Sequence, residues 1–270
     1  MKKTLAVLGA GNMGLAIACG IIKSEVLSPS DIILVRRSCE KLSAYAELGC
    51  KISSDIYESA LSADVLLLCF KPQAMQTLFD ICAPVSRDKL VISIAAGVTV
   101  SAIENALPGA KVVRAMPNTP LTVGEGVCEL CRGANVTDED FEFAKSLFAG
   151  SGVSIECREE EINAFTALTS SAVAYFAAVE EAMCAWAENN GLQGYDRQVL
   201  CDLVSKTAIG SAKLMYEKKI PPKELIRAVA SPKGTTERAL SVFEDDDLSG
   251  IFDRAMSACL KRAEELSGKK

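Results

Sequence analysis

Through residue 157 the chain alternates short, almost wholly apolar runs with longer stretches in which apolar residues recur every three or four positions. The runs are TLAVLGA, DIILVR, CKISS, DVLLLCF, LVISIA, KVVRAM and GVCELC. Each is short enough for a strand and lacks a polar face, the pattern of a strand covered on both sides. Between them, 12–23, 39–48, 55–62, 72–82 and 99–106 have helical length and spacing. This alternation predicts a doubly wound α/β domain with a parallel sheet.

From residue 158 the strand-like runs stop, and helical stretches follow at 160–190, 196–219, 223–229, 235–244 and 248–267. Breaks such as NNGLQGYD and KKIPPKE separate them. The expected division is therefore an α/β domain over 1–157 and an all-α domain over 158–270. The stretch AFTALTSSAVAYFAAVEEAMCAWA is apolar on nearly every side, so its helix needs cover all round. A small helical domain cannot supply that alone, and a second copy of the chain is the expected cover.

The first run ends in LGAGNMG, which places Gly9, Gly11 and Gly14 in a G-x-G-x-x-G spacing between a strand and a helix. That context marks a Rossmann-type dinucleotide site. Gly9 permits the tight turn, Gly11 lets the backbone approach a pyrophosphate, and Gly14 brings helix and strand together. Asn12 and Met13 open the helix, whose free N–H groups meet the phosphate charge. The same opening, with two lysines, an apolar run and Ala-Ile-Ala before Cys19, also has the outline of an export signal. Cleavage there would remove the strand and turn that the rest of the domain presupposes. A glycine-rich turn without a ligand is the blander alternative.

At the end of the second run stand Arg36, Arg37 and Ser38, where an NAD site usually has an acidic residue. Two guanidiniums and a hydroxyl match a 2′-phosphate, so NADPH is the expected coenzyme, with NADH as the alternative and a solvated arginine pair as the blander reading. Composition narrows the partners further. A formal charge of −6 disfavours nucleic acid and anionic membranes, and no run of 18 or more apolar residues free of charge follows the N-terminus. The eleven cysteines are odd in number and scattered through apolar runs, as reduced thiols in a cytoplasmic protein would be. Cys128 and Cys131 lack a second pair at zinc spacing and sit three apart on a strand, hence on opposite faces, so no metal site is expected. The chain has no histidine, so its chemistry has to proceed without the commonest general acid–base.

Several stretches carry a resemblance: FKPQAM, ISIAAGVTV and VRAMPNTPLTVGEG in the first domain, and AVASPKGTTERALSVFE in the second. In this order they resemble the pyrroline-5-carboxylate reductase family. The resemblance implies NAD(P)H-dependent reduction of a cyclic imino acid to proline by hydride transfer to the imine carbon. It also implies a homodimer or a larger ring of dimers. Lys71, Pro72, Ala95, Ala96 and Gly97 would line the nicotinamide side. Ser231, Lys233, Gly234, Thr235 and Thr236 would receive the substrate, with Thr236 on the ring nitrogen. Glu159 would fall on the substrate side and Asp55 near the cofactor ribose. Read by itself, PKGTTERAL is a loop entering a helix near Thr235, with free N–H groups for a carboxylate or a plain capping box.

Thr169 to Phe176, TSSAVAYF, departs from the family's Ser-Gly-Ser-Gly-Pro-Ala. Loss of the glycines and proline predicts a straighter, longer helix and leaves the imine's identity open. A related imine reductase and a non-catalytic NADP-binding regulator remain alternatives. A hydroxyacid dehydrogenase would need a lysine within the long helix, and 162–187 contains none.

Overall fold

Leu5–Leu8 forms the first strand, β1, and all four of its residues are buried. In the computed structural model, which describes residues 3–267, a turn leads from β1 directly into helix α1, Asn12–Lys23. Then follow β2 (Ile32–Val35), α2 (Ser43–Glu47), β3 (Lys51–Ser53), α3 (Ile56–Ser62), β4 (Val65–Leu68) and α4 (Met75–Cys82). Next come β5 (Leu90–Ser93), α5 (Val100–Ala106), β6 (Lys111–Pro117), β7 (Gly126–Arg132), α6 (Asp138–Ala149) and β8 (Gly152–Glu156). The helical remainder is α7 (Ile162–Phe165), a π turn over Thr166–Ser170, α8 (Ala172–Asn189), α9 (Arg197–Lys218), α10 (Pro222–Val229), α11 (Thr235–Asp245) and α12 (Leu248–Leu266). The segment ahead of Cys19, which also has the outline of an export signal, supplies β1 and most of α1, the helix that buries Ile17, Ala18 and Ile21.

The strands make one sheet in the order β3-β2-β1-β4-β5-β6-β7-β8. Side chains alternate across each buried strand, so the apolar runs feed two cores at once. Leu5, Val7, Leu34 and Leu67 join the core under α1 and α6, while Ala6, Leu8, Val35 and Leu68 join the opposite one with Leu78 and Ile103. Cys128 lies in the first core and Cys131 in the second, on opposite faces.

The sheet is not wholly parallel, which corrects the sequence expectation. β7 runs antiparallel to β6, with Ala115 opposite Leu130, and β8 runs parallel to β7. The link from β6 to β7, residues 118–125, is too short for a helical crossover, so the chain turns back on itself. α6 and β8 went unread in the sequence. The acidic DEDFEF hides the apolar stripe of α6 (Phe141, Ala144, Leu147, Phe148), and β8 has exposed residues on an edge.

By compactness the chain divides into two units. One reaches Ser170 and takes back the segment from Cys259; the other runs from Ser171 to Ala258. The last strand ends at Glu156. In the second unit α8 buries only Cys184 and Ala187, and Phe176 is 70% exposed. The helical stretch Glu159–Asn189 is long and apolar enough to cross a membrane by length and composition; the sequence reading passed over it because Asn163, Thr166, Thr169, Ser170 and Ser171 interrupt the apolar run.

The straight helix expected from TSSAVAYF is also corrected. Helical structure does continue through the segment, but Thr166–Ser170 is wound as a π turn before α8 begins. Wide turns of this kind recur at functional sites.

Candidate active site

The chain order reverses between β1 and β4, and open α/β sheets bind ligands at such a switch point, beyond the carboxyl ends of the strands. A cleft of about 590 Å³ lies there. Its lining brings together Gly9 and Gly11 after β1, Arg36, Arg37 and Ser38 after β2, Ser54 after β3 and Lys71 after β4. Three cations and no carboxylate line it, with Val35, Ile56 and Leu78 as apolar wall. This is the charge and shape that a phosphorylated dinucleotide requires.

The turn shows why glycine stands where it does. Gly9 has φ +91, and a Cβ there would meet Phe70 Cδ2 at 2.9 Å and Cys69 O at 3.0 Å. The amides of Gly9 and Ala10 both bond to Val35 O, so the end of β2 holds the turn shut. A Cβ at Gly14 would lie 3.1 Å from Gly9 O and Val7 Cγ1. Nothing lies closer than 3.9 Å to a Cβ placed at Gly11, the one open glycine of the three. Arg36 Nη1 donates to Ala10 O at 3.3 Å and so stiffens the loop, whereas Arg37 is exposed. Asn12 is exposed at the start of α1, and Met13 packs against the core.

Pro72, Ala96 and Gly97 fall in an adjoining cavity of about 380 Å³. Lys71 lines the first cleft and Pro72 the second, so the β4 exit is common to both. Ala95 is buried beneath the turn. The cavity is also lined by Arg114, Met116, Asn163 and the end of α12, where Ser267 accepts a hydrogen bond from Asn163 Nδ2 at 3.0 Å. None of these was read from the sequence as a site residue. The signal for Arg114 was present in VVRAM: an arginine set between apolar residues within a strand-like run.

Two expected site residues prove to have other tasks. Asp55 caps α3, its Oδ1 accepting from Glu58 N at 3.0 Å, and it does not line the cleft. Glu159 Oε1 accepts from Arg114 Nη1 at 2.7 Å and from Val100 N, the first residue of α5, at 2.8 Å. It therefore joins the start of α5 to a buried arginine, and that oxygen is not free for a substrate.

A buried carboxyl sits opposite Met116 in the β6–β7 pairing. Glu129 on β7 is fully buried, and its Oε2 has no partner. Thr169 Oγ1 lies 2.8 Å from Glu129 Oε1 and 2.7 Å from Phe165 O, yet one hydroxyl proton serves one of these at a time. A proton on Glu129 completes the chain. Burial pushes this carboxyl above its ordinary value, with the Thr169 bond opposing. A raised folded-state value contributes stability that is full below the unfolded value and is lost as pH rises through the folded one. Glu129→Gln is therefore expected to melt about 3 °C above wild type at pH 8, with the gap closing towards pH 5. Lower stability of the variant at every pH, read by thermal denaturation, would contradict the protonated state.

In the helical unit α11 begins at Thr235 with Gly234 as its N-cap and no side-chain cap. Glu237 Oε2 accepts from Lys233 N at 2.6 Å, so the acidic residue binds one position ahead of the cap, and a true capping box does not form. The first-turn N–H groups have no helix carbonyl to bond. Lys233 takes φ +59, and Thr236 is partly exposed. Ser231 O accepts from Gly234 N at 2.9 Å and closes the loop.

Residues 4–97 match the family model described as NADP oxidoreductase, coenzyme F420-dependent, and 159–266 match the one described as pyrroline-5-carboxylate reductase dimerisation. A pyrroline-5-carboxylate reductase of Methanosarcina acetivorans is 35% identical over 274 aligned positions, covering 100% of this chain and 99% of its own. The solved pyrroline-5-carboxylate reductase of Coxiella burnetii superposes with a TM-score of 0.92 at 32% identity, covering 98% of this chain and 99% of that one. The Plasmodium falciparum pyrroline carboxylate reductase, solved with NADP bound, gives 0.85 at 25% identity, covering 99% of each chain. With both the cationic glycine-turn cleft and the loop before α11 inside these full-length matches, the chain belongs to the pyrroline-5-carboxylate reductase family.

Proposed function

We propose that this chain uses NADPH to reduce 1-pyrroline-5-carboxylate to L-proline. The observation that carries the coenzyme is the convergence of Arg36, Arg37 and Lys71 on the Gly9–Gly11 turn in a single cleft free of carboxylates. Gly9, Gly11, Asn12, Met13 and Gly14 would hold the pyrophosphate at the start of α1, and Arg36, Arg37 and Ser38 the 2′-phosphate. Pro72, Ala96 and Gly97 would flank the nicotinamide, with Ala95 supporting that turn from below.

Bound NADPH supplies the hydride for the imine carbon. The amides of Thr235 and Thr236 hold the substrate's carboxylate, with the expected Gly234 amide spent on Ser231 O instead, and the Thr236 hydroxyl bonds the ring nitrogen. Ser231 shapes that loop, and Lys233 adds positive charge beside it. A protonated imine is already electrophilic, so the chain's task is to position the reactants, and the absence of histidine is no obstacle. We place the functional boundary at 157/158 and expect a cytoplasmic homodimer, or a larger ring of dimers, that covers the apolar surface of α8.

The test is a panel of five- and six-membered cyclic imines with NADPH and NADH, run alongside Thr236→Ala. Preference for the five-membered carboxylate with NADPH is expected. Thr236→Ala is expected to lose about 10- to 100-fold in kcat/KM while binding NADPH normally, as removal of one charge-assisted contact implies. Preference for a six-membered ring would redirect the substrate assignment, and binding without turnover would favour a regulator.

A further inference from the structure

Arg114 is 4% exposed, yet it sits in the middle of β6, level with Ser93 at the end of β5, and lines the cavity that contains Ala96 and Gly97. A guanidinium carries five donors, and burying one costs free energy unless partners take them up. Here Nη1 is bonded to Glu159 at 2.7 Å, and Nε is shut off from solvent with no acceptor. Glu159 also holds the first amide of α5. The arginine is thus fixed to the helix that follows the Ala96–Gly97 turn.

We propose that Arg114 reads the carboxamide oxygen of the nicotinamide and so sets which face of the ring is presented. This inference rests on the proposed coenzyme assignment. A carboxamide oxygen is a planar, uncharged acceptor, which suits a guanidinium whose charge Glu159 already balances. A carboxylate would bring a second negative charge to a pair that is already neutral. The small side chains of residues 96 and 97 leave the cavity open beside the guanidinium. Arg114 is a binding residue for the coenzyme, and Glu159 is the positioning residue behind it.

The test compares wild type, Arg114→Lys and the charge-neutral pair Arg114→Gln/Glu159→Gln by titration calorimetry. The ligands are NADPH, its thionicotinamide analogue and 2′-phospho-ADP-ribose, which lacks the nicotinamide. The pair variant leaves no unmatched buried charge, which guards against a simple folding failure. Both variants are expected to bind NADPH about tenfold more weakly, to lose most of the discrimination against the sulfur analogue, and to bind 2′-phospho-ADP-ribose as wild type does. An equal loss for all three ligands would make Arg114 structural and overturn the inference. So would unchanged NADPH affinity with a raised imine KM, which would assign the arginine to the substrate carboxylate. Wild-type protein that fails to bind NADPH would overturn the coenzyme assignment as well.

Discussion

Gly9→Ala is expected to weaken NADPH and NADH binding alike by roughly a hundredfold and to lower the melting temperature by about 5 °C. The left-handed backbone at φ +91 costs an ordinary residue about 1–2 kcal/mol. The added methyl would also stand 3.0 Å from Cys69 O, a backbone atom that cannot swing aside as a side chain can. Relief requires the turn to move, but Val35 O holds both of its amides and Gly9 O packs under Gly14. The coenzyme's phosphates would then meet a displaced loop. Fluorescence titration with each reduced coenzyme, together with a thermal melt, reads both effects. Unchanged affinity would mean that the pyrophosphate lies elsewhere.

Arg37→Ala is expected to act on one coenzyme only. Arg36 is tied to the glycine loop through Ala10 O, so its loss would disturb both coenzymes, whereas Arg37 is exposed in the same cleft with no protein partner among the described residues. A charge-assisted bond to phosphate contributes about 1.5–3 kcal/mol, which corresponds to roughly 10- to 100-fold in NADPH affinity. NADH, without the 2′-phosphate, is expected to bind Arg37→Ala as it binds wild type. The salt dependence of NADPH binding is expected to flatten as well, since one exposed charge pair is removed. Equal losses for both coenzymes would place the phosphate away from Arg37.

Why some of this was legible in the sequence follows from local physics. α1 begins and ends where the pattern places it, at Asn12 and Lys23, because the glycine turn defines its start. The strands of the double-faced sheet were readable because burial on both sides removes polar residues from β1, β2 and β4 and leaves only Ser93 in β5. The reversal at β7 was not, since strand direction depends on the length of the connection and leaves no mark on the strand's own composition. The glycine and arginine positions depend on short sequence spacing, so they could be read directly. The partners of Arg114 and Glu129, Glu159 and Thr169, lie 45 and 40 positions further along the chain. No local pattern encodes such meetings. Asp55 shows the converse: its Oδ1 caps its own helix, a bond that the short spacing to Glu58 makes readable as a helix start.

The central claim is that the chain transfers hydride to the carbon of a cyclic imine from a dihydronicotinamide coenzyme whose pyrophosphate is held at the glycine turn. It is tested by incubating the purified protein with 1-pyrroline-5-carboxylate and NADPH deuterated on the transferring face of the nicotinamide, then analysing the product by mass spectrometry and NMR. The account predicts L-proline carrying one deuterium on the ring carbon that is bonded to nitrogen and does not bear the carboxylate. Proline without label, or bound NADPH that is never oxidised in the presence of the imine, would contradict it.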